Sequence, residues 1–167
     1  WNGRVYVLTA LVISVSSIYM VWAREAIIGG LPGQIGTTLD GLLIIAFAIV
    51  ATRFAIKRQI QRHQRWALRL FIVVSGVWFF RVIRGFWVLL HNGTSPGSNG
   101  NLTGPFDIAL NFAGYLVPLL ILELYFLIKL RGSPSMQLGM AAGLLGLTIV
   151  TGLCIYSAGN IFWLPNL

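Results

Sequence analysis

The chain has 167 residues, 57% of them hydrophobic and only 10% charged, whereas a water-soluble domain carries about 25% Asp, Glu, Lys and Arg. Its net charge of +8 sits beside and between apolar runs rather than over a polar surface, which excludes a nucleic-acid partner. With a mean hydropathy of +0.82, the expectation is an all-α, polytopic transmembrane helical bundle of about five spans in one domain, its partner the lipid bilayer.

The first apolar run covers 5–23, long enough to cross a hydrocarbon core of about 30 Å at 1.5 Å per residue. A connector at 24–36 follows, with Gly29-Gly30 and Leu31-Pro32-Gly33 as turn signals. The second span is expected at 38–55, N-capped by Thr37 or Thr38. Next comes a basic hairpin at 53–69 with Lys57, Arg58, Arg62, His63 and Arg65, which suits anionic lipids at the membrane surface. An aromatic-rich third span covers 66–90, and a loop at 91–105 is rich in Gly, Ser, Asn and Thr. The fourth span is placed at 106–128. The fifth, at 138–156, is glycine-rich, open to being tilted or partly re-entrant, and ends in an aromatic tail of Phe162, Trp163 and Pro165. Because the chain opens on Trp1, the true N-terminus is expected upstream.

Orientation follows from the basic residues. With the N-terminus cytoplasmic, Arg4, the six Lys and Arg residues within 53–69, and Lys129 with Arg131 all face the cytoplasm, leaving Arg24, Arg81 and Arg84. The C-terminus is then outside.

Any chemistry must use the few polar residues within the spans. Arg81 and Arg84 lie about 22 and 27 Å along the third span, and Arg81, Arg84, Val88 and His91 share a helix face. Asp40 and Asp107, at the outer starts of spans two and four, have compatible depth. An outer cluster of Arg81, Arg84, His91, Asp40 and Asp107 is expected, either as a structural ion-pair network or as a site for an anion, a headgroup or a quinone carbonyl. Glu123 lies near the inner end of span four, with Arg69 and Arg53 as candidate partners. Unpaired it would be a proton carrier; paired it is scaffold. His63 and His91, about 40 Å apart along a helix, do not share one haem.

Cys154 excludes an internal disulfide and has a packing role. Gly139 and Gly143 form a GxxxG pattern that permits close packing, within the chain or against a partner subunit. Asn92-Gly93-Thr94 and Asn101-Leu102-Thr103 are glycosylation sequons in the loop. No phosphate loop, HExxH, CxxC or nucleophile elbow occurs, so no enzyme activity is indicated.

Three stretches, Trp1-Asn2-Gly3-Arg4-Val5-Tyr6, Arg62-His63-Gln64-Arg65-Trp66-Ala67-Leu68-Arg69 and Leu122-Glu123-Leu124, resemble the bacterial membrane proteins classed as domain of unknown function 2306. Gly3 and Arg4 match the opening of that family, whose histidine would precede Trp1. His63, Arg65 and Trp66 match its second segment, with Gln64 where a basic residue is common, and Glu123 matches its later acid. The resemblance covers about 1–130 and implies a bacterial inner-membrane location without supplying a mechanism. It singles out Arg4, His63, Arg65 and Glu123, joined by Arg69, as an inner group. Three functions remain open: a non-catalytic subunit or scaffold of a membrane complex, a redox protein using haem or quinone, and a small proton-coupled transporter. The absence of an inverted repeat ranks the last of these third.

Overall fold

In lipid, backbone N–H and C=O groups have no water to bond, so apolar stretches wind into helices that satisfy them internally. The computed structural model describes residues 2–23, 29–99 and 101–162; Trp1, Arg24, Trp163 and Pro165 lie outside them. It contains six helices: α1 (Asn2–Ala23), α2 (Gly30–Ile56), α3 (Ile60–Val74), α4 (Gly76–Leu90), α5 (Pro105–Arg131) and α6 (Pro134–Phe162). Among the described residues α1, α2, α5 and α6 are each long and apolar enough to cross a membrane, and α3 with α4 forms a further pair bent by 46°. Large apolar side chains such as Leu8, Tyr19, Leu120, Leu138 and Leu145 face outward, as a lipid solvent requires. The chain is a multi-pass helical membrane protein.

The helices overrun the expected spans, and two of the differences matter. First, α2 begins at Gly30, not near Thr38. Gly29, in the left-handed region at φ 89, makes the turn, and Pro32 is tolerated because a first-turn N–H has no helical acceptor. Thr38 is therefore interior rather than an N-cap. Its hydroxyl donates to the Gln34 carbonyl at 2.7 Å and accepts from Trp22 Nε1 at 3.0 Å, tying α2 to α1.

Second, the basic stretch is mostly helical. The turn between α2 and α3 is confined to 57–59, and the third span starts at Ile60 and breaks at Ser75. A Ser-Gly pair is a known weak point in a helix. The packing of α5 shows how the two halves run. Arg69 of α3 pairs with Glu123, Gly76 of α4 abuts Tyr115, and Arg84 pairs with Asp107. Each step along α3–α4 is matched by an equal step back along α5, to within one residue. A re-entrant pair would retrace its contacts; this one runs antiparallel to α5 through the break, as a single bent crossing.

The core lies where α1, α2, α3 and α5 meet, around Ala10, Ile44, Ala48, Leu70, Val73 and Tyr115. Small residues set the spacing, because association in lipid depends on close packing rather than on expelling water. Gly41 lies against Ile18 and the Ser14 carbonyl, and Gly114 faces the Gly76 carbonyl. The continuous helix α6 packs mainly on α4 and stands at the edge of the bundle, with Cys154 among its buried positions.

Candidate functional site

Polar residues gather at three depths: a basic end where α2 passes into α3, a loop end at 91–104, and a point between them at the α3–α4 break.

At the basic end, Arg69 and Glu123 form a two-pronged ion pair. Arg69 Nε donates to Glu123 Oε1 at 2.5 Å and Nη2 to Oε2 at 2.8 Å. The Arg69 guanidinium also lies 4.7 Å from the Trp66 ring and 5.2 Å from Phe126. Two donors and two aromatic faces fix its plane, the arrangement in which arginine outperforms lysine. Arg53, the other candidate partner, is exposed and takes no part. The Arg65 guanidinium also lies 5.7 Å from the centre of the Phe126 ring. His63 turns to α2, its Nδ1 donating to the Ala51 carbonyl at 2.9 Å, and Arg4 is exposed on the first turn of α1. The expected inner group therefore resolves into the Arg69–Glu123 pair with Arg65 beside it, while His63 and Arg4 stand apart. An open groove of about 320 Å³ runs between α3 and α5, lined by Gln61, Gln64, Arg65, Tyr125, Phe126 and Lys129.

At the loop end, Arg84 Nε lies 3.9 Å from Asp107 Oδ1. Ser98 joins them, donating to Asp107 Oδ1 at 2.9 Å and accepting from Arg84 Nη2 at 3.4 Å. Asp107 is buried, and its Oδ2 has no hydrogen-bond partner among the described residues. Ser98 reaches the cluster from a loop, so helix periodicity carries no signal for it. His91 joins the group only through Trp87, whose ring is 4.2 Å from it. Trp87 in turn stacks on Phe106 at 4.7 Å and donates from Nε1 to the Pro96 carbonyl, fastening the loop over α4 and α5.

Arg81 and Asp40 do not belong to that cluster. Arg81 is exposed and forms no ion pair among the described residues. The sequence pattern puts Asp40 near a helix start, but α2 begins eight residues before Thr38. In the structure it lies about 15 Å along a 27-residue helix, within the apolar part of the bundle. Its Oδ1 is buried without a hydrogen-bond partner. It lines a cavity of about 60 Å³ with Ser14, Ser17, Gly41, Val74 and Val77, against the first residues of α4. The Ser75-Gly76 pair was the sequence signal for this site, since it locates the break that Asp40 faces.

His63 and His91 lie toward opposite ends of the α3–α4 pair and each engages a backbone carbonyl, so the described residues bring no two histidines together. No group of three or more His, Cys, Asp or Glu suited to a metal ion occurs among the described residues.

Fold and polar groups together define a class, a small multi-pass helical membrane protein with ion pairs near both ends and an unpaired acid between them. No family model matches the chain, and neither does any curated protein or solved structure.

Proposed function

We propose that the protein is a non-catalytic helical subunit of a membrane complex, with α6 as the face that meets its partner. The observation that carries this reading is the uncovered glycine face of α6. Gly139, Gly143 and Gly146 fall on one side of the helix, and a Cβ added at any of them would meet nothing within 4 Å. Each glycine in a helix costs roughly 1 kcal/mol relative to alanine. Close packing of a second helix against the bare backbone is what offsets that cost in lipid, and this chain supplies no such helix among its described residues.

The resemblance carried by Gly3 and Arg4, by His63, Arg65 and Trp66, and by Glu123 supports a bacterial inner-membrane protein of the family classed as domain of unknown function 2306. The basic end then faces the cytoplasm. Its groove, with Arg65 and Lys129 on opposite walls, suits the phosphate of an anionic lipid.

The test is extraction from native membranes in mild detergent, followed by sizing. The expected result is an assembly larger than the single chain that Gly143→Leu dissociates while the variant remains folded. A wild-type protein that extracts as a lone monomer would overturn the proposal.

A further inference from the structure

Among the described residues, Asp40 is the one acid within the bundle that takes part in no ion pair. It stands between Leu39 and Gly41 on α2, about 15 Å from the first residue of that helix at helical rise. Neither carboxyl oxygen forms a hydrogen bond or an ion pair with a described residue, and Oδ1 is sealed from the surface. An ionised carboxylate at such depth without a cation is strongly disfavoured, and intramembrane acids mark ion or proton pathways by default.

The surroundings decide between ligands. From α1 come the hydroxyls of Ser14 and Ser17, which line the same cavity. The Ser14 hydroxyl donates to the Ala10 carbonyl at 2.7 Å, leaving its lone pairs to accept. From α3 and α4 come Val74, Gly76 and Val77; a Cβ on Gly76 would stand 3.7 Å from Asp40 Oδ1. From α5 comes Tyr115, which abuts Gly76 and donates its hydroxyl to the Gly36 carbonyl. The charged group closest along α4, Arg81, lies about 140° round that helix from Gly76 at 100° per residue, and it is exposed. Thus, among the described residues, no cation faces Asp40, and Tyr115 is the one other titratable group that does.

A metal cation needs more oxygen ligands than one carboxyl and two hydroxyls provide. A proton needs one oxygen and an acceptor for the resulting O–H, and the cavity of about 60 Å³ has room for water to deliver it. The acceptor is present in Ser14 or Ser17.

We propose that Asp40, ringed by Ser14 and Ser17 and set against the α3–α4 break, is a proton-binding site inside the membrane. The carboxylate takes a proton from cavity water, leaving hydroxide to the solvent, and the new O–H donates to a serine hydroxyl. The bend at Ser75 is where α4 can shift against α2 as the proton enters or leaves. This site does not depend on the subunit reading, since it uses no residue of α6.

Infrared spectroscopy of the full chain in lipid nanodiscs tests it, because a carboxylic acid shows a carbonyl stretch that a carboxylate lacks. The expected spectrum at neutral pH has that band. It shifts in heavy water, disappears in Asp40→Asn and survives in Asp107→Asn and Glu123→Gln. Should Asp40→Asn fail to fold, the double variant Ser14→Ala with Ser17→Ala serves, and the band should move to higher frequency as its hydrogen bond is lost. Identical spectra for wild type and a folded Asp40→Asn would overturn the proposal. So would an unmoved band in the serine variant, or loss of the band on adding sodium chloride at constant pH, which would identify a sodium site instead.

Discussion

Glu123→Leu removes one half of the best-formed ion pair among the described residues, and its effect can be sized from geometry. Arg69 and Glu123 share two hydrogen bonds, and their side chains are 17% and 40% exposed. An exposed pair contributes up to about 1 kcal/mol, and breaking a fully buried one costs roughly 3–5 kcal/mol. This pair lies between those cases, and a coupling energy of about 2 kcal/mol is expected, roughly 30-fold in the folding equilibrium. The single loss should not reach the buried limit, because Arg69 keeps the faces of Trp66 and Phe126, together worth about 1–2 kcal/mol. The assay is reversible unfolding in mixed micelles followed by tryptophan fluorescence, for wild type, Arg69→Leu, Glu123→Leu and the double variant. A coupling below about 0.5 kcal/mol would refute the claim that this pair locks α3 to α5.

Gly76→Ala should destabilise by about 1–3 kcal/mol in the same assay, because its Cβ would stand 2.9 Å from Tyr115 Cβ. Gly139→Ala, with open space around it, should instead gain about 0.5–1 kcal/mol from helix propensity. Asp107→Asn should cost about 1 kcal/mol or less, since the Arg84 contact is long and Ser98 can still donate to the amide oxygen. Trp87→Ala should cost about 3 kcal/mol and speed hydrogen exchange across 91–104, because the loop loses both the Phe106 stack and the Pro96 tether.

Helical class and span order were legible because long apolar runs are a length signal, independent of tertiary contacts. Helix ends were less legible. The start of α3 is charged because it stands in the interfacial region, where water satisfies polar side chains, and hydropathy alone does not register it. The glycines and proline at the start of α2 read as a turn, although a first helical turn accommodates them. That misplacement moved Asp40 in depth and assigned it to the wrong cluster. The Arg69–Glu123 pair was foreseeable because both lie near the same end of adjacent helices. Ser98 was not, since its place depends on how a loop folds back. The break at Ser75 leaves a two-residue trace in the sequence, and what makes it matter, an acid from another helix facing it, is visible only in three dimensions.

The account turns on α3 and α4 being one bent crossing, which gives five spans. Single cysteines at Lys57, Thr94 and Ser133, in a Cys154→Ala background, can be probed in sealed membrane vesicles with a thiol reagent that does not cross lipid. The expected result is that Lys57→Cys and Ser133→Cys react from one side and Thr94→Cys from the other. Reaction of Lys57→Cys and Thr94→Cys from the same side would mean that α3–α4 turns back within the membrane, and would contradict the account.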